Sequence, residues 1–518
     1  MAMSTTLRAL VDEAHKQGTL RGLPDRHFIA GQWVASTSGA RMASLDPGTG
    51  EVFTEFAAGT ADDVDAAVGA ARNALTGPWK RATPAQRGRV LMRCAELIRA
   101  HAVRLAVVET LDSGKRISEA LGDVNGAARA FEYYAGACDK HQGETIPLGP
   151  EHLAYTLNEP VGVAAQIVPW NYPISTAARG LAPALAAGCT VVVKPAEQTP
   201  LTALMLADLL HQAGLPSGVC NVVTGTGVAV GAPLVAHAGI DHITFTGSVP
   251  TGQAVMRAAA DHVTRLVLEL GGKSPVVVLA DCDFDSAVDN AFGAILENAG
   301  QICSAGSRLV IAREIHEAFV QRLVERAKAL TLGHGLRDEG LGPVNSALQL
   351  ERIAGHVDRA RERGVTVRTG GKRRTDPRTG KGWFFEPTIL DDVASDDPCV
   401  QQEIFGPVLS VQVFDTLDEA IAMANGTAYA LVAGVFTRDF AAAHRLAREI
   451  DAGQVYINEY FAGGIEVPFG GNRLSGFGRE KGLEALRSYS KVKSVVARIL
   501  GRHPSCSIGA HGVRVQCP

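Results

Sequence analysis

Six runs within residues 161–279 decide the fold: VGVAAQIV (161–168), CTVVVK (189–194), GVCNVVTG (218–225), HITFTGS (242–248), RLVLELGG (265–272) and SPVVVL (274–279). Each run is short, rich in β-branched residues and bounded by Gly or Pro, which is typical of buried strands. Amphipathic or Ala-rich stretches at 174–187 and 201–213 predict helices between them. Because repeated strand–helix units form parallel sheets covered on both faces, the sequence predicts an α/β fold.

The predicted units extend beyond these runs in both directions. A second α/β set spans about 283–475, and its helical runs lie at 315–331, 346–363, 417–425 and 439–450. Towards the N-terminus, an arm and short strands occupy residues 1–60. Capping residues Thr60 and Thr83 then begin helices, and the helical pattern continues to about Ala137. No low-complexity linker separates the two α/β sets, so we expect two lobes of one unit with a cleft between them.

Composition and charge exclude several classes of protein. The chain has 518 residues, of which 46% are apolar and 20% charged, as in an ordinary soluble globular protein. Lys+Arg 50 against Asp+Glu 54 leaves a net charge of -4, too balanced for a nucleic-acid or membrane partner. Nine cysteines without a C-x-x-C pair indicate neither a disulfide framework nor a zinc site, and no metal is expected. The N-terminus lacks a signal peptide's apolar centre, which predicts a cytoplasmic protein.

Several common motifs are only partly present. Gly272-Lys273-Ser274 lacks the glycine that a phosphate loop needs at Val267, and Gly225 and Gly227 lack the third glycine of the dinucleotide fingerprint. The His316-Glu317 pair lacks the second histidine of a metalloprotease helix. We therefore assign no function to these partial matches.

Two residues suggest a reactive site. Cys303 lies in NAGQICSAGSR, among small residues that let a ligand and the backbone approach; its alternative is inert core packing. Glu269 lies within an apolar strand, where an unpaired carboxylate either shifts its pKa upward or points to water at an edge. A carboxyl group with a raised pKa is suited to act as a general base near neutral pH.

Two further segments contain groups suited to binding. Asn171 in PWNYP follows a strand, where its amide can hold an oxyanion or, alternatively, bond its own turn. Lys194 and Glu197 in VVVKPAEQTP also follow a strand, and Ser248 in FTGSVPTG begins a helix. A helix N-terminus suits a phosphate, and a nearby carboxylate suits ribose hydroxyls.

Together these segments resemble the NAD(P)-dependent aldehyde dehydrogenase superfamily from about residue 28 to 496. The matching motifs are PWNYP, KPAEQTP, FTGS-x-x-x-G, LELGGKSP, GQICSAGSR, QQEIFGPV and PFGGNRLSGFGRE. The resemblance implies a Rossmann-like cofactor domain (1–141 and 161–271) and an α/β catalytic domain (272–478). It also implies a small β bridging element (142–160 and 486–500) that forms homodimers or homotetramers. The tail, 501–518, lacks periodicity and is expected to be poorly ordered.

The same resemblance assigns roles to residues. Cys303 would be the nucleophile, Glu269 the base and Asn171 the oxyanion donor. The implied cofactor-binding residues are Val168, Pro169, Trp170, Lys194, Glu197, Gly227, Phe245, Thr246, Gly247, Ser248, Leu270, Gly271, Glu403 and Phe405. The implied substrate-binding residues are Tyr172, Ile302, Tyr460 and Phe469.

The implied reaction oxidises an aldehyde to a carboxylic acid with NAD, through a cysteine thioester that is hydrolysed. Glu269 favours hydrolysis over transfer to coenzyme A, because relatives that use coenzyme A lack this base. Glu197 favours NAD, since a carboxylate at the ribose repels a 2′-phosphate, although some relatives with Glu here also use NADP. A cofactor-independent cysteine esterase and a catalytically silent relative are the alternatives, and the paired cofactor residues and the intact Cys303 and Glu269 argue against them.

The substrate is less well defined by the sequence. Many relatives carry Trp-Lys where this chain has Arg179-Gly180, so no role of that lysine is transferred. The Arg179 side chain is expected to face solvent, and the alternative is that it provides one contact to an anion. The aromatic residues Tyr172, Tyr460 and Phe469 among the implied substrate residues predict an apolar aliphatic or aromatic aldehyde. A cationic aminoaldehyde, as oxidised by betaine aldehyde dehydrogenases, is the alternative.

Overall fold

The computed structural model describes residues 5–499 and confirms the predicted α/β fold. The first sheet has eight strands, and its central five are parallel, with antiparallel strands at both edges. In spatial order they are β2 (Gln32–Val34), β1 (His27–Ile29), β9 (Cys220–Val222), β8 (Thr190–Pro195), β7 (Val163–Val168), β10 (His242–Thr246), β11 (Arg265–Glu269) and β23 (Gly476–Phe477). Five of the six runs that suggested a parallel sheet therefore form its centre.

The second sheet has seven strands, all parallel except the first pair. They are β14 (Thr366–Thr369), β17 (Thr388–Asp391), β18 (Val408–Phe414), β13 (Arg308–Ala312), β12 (Pro275–Val278), β20 (Val432–Phe436) and β21 (Gln454–Ile457). The run SPVVVL, grouped above with the first set, forms β12 here. The predicted domain boundaries stay a prediction; β23 lies within the predicted catalytic range but pairs with β11 of the first sheet.

A third sheet has three antiparallel strands: β24 (Ser490–Arg498), β6 (His152–Pro160) and β5 (Thr145–Ile146). The predicted strand at 486–500 is therefore shorter than expected, because Gly482–Ser488 is helical. Three two-stranded sheets complete the set: β3 (Arg41–Asp46) with β4 (Glu51–Ala57), β15 (Arg373–Arg374) with β16 (Phe384–Phe385), and β19 (Tyr429–Ala430) with β22 (Asn472–Arg473). The predicted tail lies outside the described residues.

Helices connect and cover the strands. They are α1 (Thr5–Gln17), α2 (Ala61–Ala74), α3 (Pro78–Arg81), α4 (Pro84–Ala100), α5 (Ala102–Ser113), α6 (Ile117–Ala137), α7 (Pro173–Ala187), α8 (Leu201–Gln212), α9 (Ala232–Val235), α10 (Val249–Ala260), α11 (Phe284–Leu296), α12 (His316–Ala329), α13 (Ala347–Glu362), α14 (Pro398–Gln401), α15 (Leu417–Asn425), α16 (Phe440–Glu449) and α17 (Gly482–Ser488). The predicted cap at Thr83 is confirmed, since its Oγ accepts from the Gln86 N–H at 3.3 Å. The N-terminal arm contains α1, whose Leu7 and Val11 are buried.

Both large sheets are covered on both faces. In β8, Val191 and Val193 pack into the core beside helices α4 to α8, whereas Val192 packs on the opposite face with α2 and α10. In β12, Val276 and Val277 similarly belong to different cores. None of the helices within residues 5–499 has both the length and the apolarity needed to cross a bilayer.

Candidate active site

A groove of about 500 Å³ lies at the carboxyl ends of β7, β8, β10 and β11, the edge where parallel sheets bind ligands. Residues that follow these strands form one wall, and residues of the second half of the chain form the other. The predicted residues that line it are Val168, Pro169, Trp170, Asn171, Lys194, Glu197, Phe245, Thr246, Gly247, Ser248, Glu269, Leu270, Gly271, Cys303, Glu403 and Phe405. Gly227 is exposed, begins the π-helical turn Gly227–Gly231, and is not among the lining residues.

Cys303 lies in the loop between α11 and β13. Three residues before it have left-handed backbone, with φ of 48° at Asn298, 53° at Ala299 and 71° at Gly300. A Cβ at Gly300 would lie 2.2 Å from the carbonyl oxygen of Gly406, so this loop packs directly against the EIFGPV segment. Among the cysteines within residues 5–499, Cys303 alone is not buried.

The Cys303 thiol is not activated in this structure. Burial raises its pKa to about 12; the Arg179 guanidinium opposes this shift, and the Glu403 and Glu269 carboxyls add to it. At neutral pH the group is therefore a thiol, whereas the thiolate is the nucleophile. Additional positive charge or hydrogen-bond donors in the groove would lower this pKa.

The two glycines after Glu269 bring three parts of the site together. A Cβ at Gly271 would lie 2.2 Å from Oε2 of Glu403, and one at Gly272 would lie 2.4 Å from the carbonyl oxygen of Cys303. The Gly272 N–H donates to Oε1 of Glu403 at 3.1 Å. The loop after β11 therefore needs glycines, because the loop that contains Cys303 (the nucleophile loop) and the Glu403 carboxyl are in close contact with it.

Glu269 is the last residue of β11 and is only 1% exposed to solvent. Neither carboxyl oxygen has a hydrogen-bond partner among the described residues. Burial raises the pKa of Glu269 well above its ordinary value, the nearby Glu480 raises it further, and Arg179 opposes the shift. This is the upward shift that the sequence predicts for an unpaired carboxyl in an apolar strand, and it favours the protonated form of Glu269.

Asn171 lies between β7 and α7 and is buried. Its Nδ2 donates to the carbonyl oxygen of Gln301 at 2.8 Å, and Nδ2 of Asn298 donates to the Asn171 carbonyl oxygen at 3.0 Å. The amide therefore bonds the nucleophile loop and not its own turn. One N–H of the Asn171 amide remains for a ligand oxygen, since an amide nitrogen carries two donors.

The other end of the groove fits a dinucleotide. Ser248 caps the twelve-residue helix α10, whose N-terminus therefore faces the groove and can hold a phosphate. Nζ of Lys194 lies 2.9 Å from Oε2 of Glu197, which presents a carboxylate for ribose hydroxyls. Near Cys303, the rings of Trp170 and Phe405 contact edge to face at 5.2 Å.

The family model described as the Aldehyde dehydrogenase family matches residues 33–495 of this chain. This chain belongs to the aldehyde dehydrogenase family. It is 44% identical over 477 residues to an aldehyde dehydrogenase of Enchytraeus buchholzi, covering 91% of this chain and 95% of that protein. It is 42% identical over 472 residues to a betaine aldehyde dehydrogenase of Bacillus subtilis, covering 90% of this chain and 96% of that protein. The NAD+ complex of an aldehyde dehydrogenase from Bacillus cereus matches with a TM-score of 0.91 at 40% identity, covering 96% of this chain and 100% of that chain.

The structure of this aldehyde dehydrogenase brings the predicted substrate residues together. Tyr172, Ile302, Tyr460 and Phe469 belong to the same apolar cluster as Cys303. The Tyr460 hydroxyl donates to the carbonyl oxygen of Ser304 at 3.0 Å, which positions the ring beside the nucleophile loop. The Tyr172 hydroxyl instead bonds Glu297 at 3.2 Å.

The expectation that Arg179 faces solvent is wrong. Its side chain is only 17% exposed, and its Nε donates to Oε2 of Glu480 at 2.9 Å. Its position on the inner face of α7 explains the difference, because residues around it on that helix are buried. The sequence carried a usable signal, since an arginine within the apolar run AARGLAPALAA needs a buried partner.

Other groove and site residues were missed by sequence reasoning. Gln349, Arg352 and His356 line the groove from one face of α13, and that run showed only helical periodicity. Lys481 lies beside Phe469 because Phe469 and Glu480 form an isolated antiparallel bridge, a pairing with no local pattern.

Proposed function

We propose that this aldehyde dehydrogenase oxidises an aldehyde to the corresponding carboxylic acid with NAD, using Cys303 as nucleophile and Glu269 as base. The observation that carries the proposal is one groove lined by a partly exposed thiol, an unpaired carboxyl group and a free amide donor. The same groove contains the N-terminus of α10 and the Lys194–Glu197 pair. An esterase without a cofactor would not need the second half of this groove.

The first step is attack by the Cys303 thiolate on the carbonyl carbon. The new S–C bond moves the carbonyl electron pair onto oxygen, and the resulting oxyanion accepts from the Asn171 amide and the Cys303 backbone N–H. Loss of one such donor costs about 3–4 kcal/mol of transition-state stabilisation. Asn171 is suited to this role because Nδ2 of Asn298 donates to its main-chain carbonyl oxygen and so holds the backbone that carries the amide.

NAD, held by Lys194, Glu197 and Ser248, would supply the acceptor for the hydride of the reacting carbon, and the acyl group then remains attached to the sulfur of Cys303. Glu269, once ionised, takes a proton from water as the water oxygen bonds the acyl carbon. The C–S bond then breaks, the thiolate is restored and the carboxylic acid leaves. The Glu197 carboxylate favours NAD over NADP because it repels a 2′-phosphate.

For the substrate we propose an aldehyde with an apolar aliphatic or aromatic body, since Tyr172, Ile302 and Phe469 share an apolar cluster with Cys303. The similarity to a betaine aldehyde dehydrogenase raises the alternative of a cationic aldehyde. Against this alternative, the Lys481 ammonium lies 5.2 Å from the Phe469 ring centroid, where it would repel a cationic substrate.

Two further proposals concern the setting of the enzyme. We propose that it is a homodimer or homotetramer joined through β24, because Val492 and Val496 on this strand are 67% and 61% exposed. A cytoplasmic location and the domain boundaries predicted above stay proposals; the free thiols of all cysteines within residues 5–499 support a reducing compartment.

The direct test compares wild type, Cys303→Ala and the control Cys282→Ala, which changes a buried cysteine. Each protein is mixed with hexanal and either NAD or NADP, and the reduced-cofactor absorbance is followed. We expect turnover with NAD by wild type and the control, slower turnover with NADP, and none by Cys303→Ala. Ester hydrolysis without NAD binding, and no aldehyde oxidation across a broad panel, would favour the esterase and contradict the proposal.

A further inference from the structure

Two cationic side chains contact one aromatic ring beside the nucleophile. The guanidinium carbon of Arg179 lies 5.4 Å from the Phe469 ring centroid, and Nζ of Lys481 lies 5.2 Å from it. Phe469 belongs to the apolar cluster that contains Cys303. Both cations also interact electrostatically with Cys303 and Glu269, which places them near the reacting groups.

The two cations differ in their partners. Arg179 forms an ion pair with Oε2 of Glu480, so this pair carries no net charge. Within residues 5–499 the Lys481 side chain forms no ion pair and no hydrogen bond, although Glu480 and Glu269 interact with it electrostatically. Of the acidic residues near Lys481, Glu480 pairs with Arg179, and Glu466 pairs with Arg129. Within the described residues, the ammonium of Lys481 is therefore a positive charge without a direct ion-pair partner, beside the apolar cluster.

The backbone holds Lys481 in place. Its φ is 59°, in the left-handed region that few residues with long side chains adopt. The conformation is fixed on both sides: Phe469 and Glu480 exchange backbone hydrogen bonds of 2.7 and 2.8 Å, and the Gly482 N–H donates to the Ile465 carbonyl oxygen at 2.7 Å. Burial and the nearby Arg179 lower the pKa of Lys481 to about 8, so the group is still mostly protonated at pH 7.

We propose that the aldehyde oxidised by this enzyme carries a carboxylate at its far end, and that Lys481 binds this carboxylate and determines the specificity. The inference rests on the proposed function and names its substrate class, the ω-oxo carboxylic acids. Phe469 and Tyr172 contact the apolar chain between the two ends, and the carboxylate supplies the partner that Lys481 lacks. A cationic aldehyde would add a second positive charge against Lys481 and Arg179.

The test measures kcat/KM with NAD for pairs of equal chain length: succinate, adipate and suberate semialdehydes against butanal, hexanal and octanal. An ω-trimethylammonio hexanal provides the opposite charge. The variant Lys481→Met removes the charge and keeps the side-chain length, Lys481→Arg restores a charge, and the exposed Lys328→Met is the control. Each protein is first checked for NAD binding.

At one chain length at least, wild type is expected to prefer the semialdehyde over the matched alkanal by roughly 10- to 100-fold. Lys481→Met lowers this ratio by the same factor, Lys481→Arg retains part of it, and Lys328→Met keeps the wild-type ratio. Equal kcat/KM values across all wild-type pairs, or an unchanged ratio in Lys481→Met, overturn the inference while the proposed function stands. Oxidation of no aldehyde by wild type would instead contradict the proposed function. Because the wild-type comparison needs no variant, misfolding of Lys481→Met does not remove the test.

Discussion

At the scale of single residues, the proposed mechanism assigns to the carboxyl group of Glu269 the hydrolysis of the acyl group on Cys303. Burial raises the pKa of Glu269 and favours its neutral form, so Glu269→Gln introduces a neutral group of the same shape and preserves packing. We expect steady-state oxidation to fall by about 10²- to 10⁴-fold, the range for loss of a general base. Stopped-flow absorbance is expected to show a burst of about one reduced cofactor per subunit, since hydrolysis depends on the base more than acylation does.

The pH profile gives a second readout of the same variant. Because burial raises the pKa of Glu269 and a base must be ionised to act, the wild-type hydrolysis rate should rise with pH, and Glu269→Gln should lose that contribution. Glu362→Gln, at the exposed end of α13, is the matched control and keeps the wild-type profile. An unchanged steady-state rate in Glu269→Gln would show that Glu269 is not the base.

Residues of the site were predictable where their chemistry conflicted with local packing. Glu269 in an apolar strand and Cys303 among small residues stand out in the sequence, and the structure brings both into one groove. Lys481 and its contact with Phe469 could not be predicted, because that contact depends on a bridge between two irregular segments.

At the scale of elements, the loop from β11 to β12 sets the position of the nucleophile. Gly272→Ala adds a methyl group whose carbon would lie 2.4 Å from the Cys303 carbonyl oxygen, so the nucleophile loop must move. Since a displacement of about 1 Å costs roughly 10²-fold in rate, kcat/KM for hexanal should fall by about that factor. The control Gly293→Ala, in α11, has open space around the added carbon and keeps wild-type activity. Wild-type kcat/KM in Gly272→Ala would show that this contact does not position Cys303.

Element prediction succeeded where periodicity was strong. The helices α7, α12, α13, α15 and α16 lie within a residue or two of the predicted runs, because their apolar faces repeat along the helix. The sheet assignment of SPVVVL failed for a physical reason: a buried parallel strand has the same apolar run in either sheet. Only pairing of β12 with β13 and β20 places it in the second sheet.

At the scale of the whole molecule, the three-stranded sheet exposes apolar side chains on both of its faces. Val492 and Val496 lie on one face of β24, and Leu153 and Leu157 of β6 lie on the other, all more than two-fifths exposed. One edge of β24 pairs with β6, and the other edge is open to pairing with another chain. A single subunit leaves this surface in water, whereas a second copy of the chain in the proposed assembly would cover it.

The double variant Val492→Lys, Val496→Lys tests this proposal. Each valine contributes roughly 1–2 kcal/mol when buried, and a two-fold interface contains four of them, so the dissociation constant should rise by 10³-fold or more, about an order of magnitude per 1.4 kcal/mol. Sedimentation velocity at micromolar concentration should show a dimer or tetramer for wild type and a smaller species for the variant. Val263→Lys, which changes a valine 89% exposed on a loop, keeps the wild-type assembly. A wild-type protein that sediments as a monomer, or a double variant that assembles like wild type, would place the interface elsewhere or remove it.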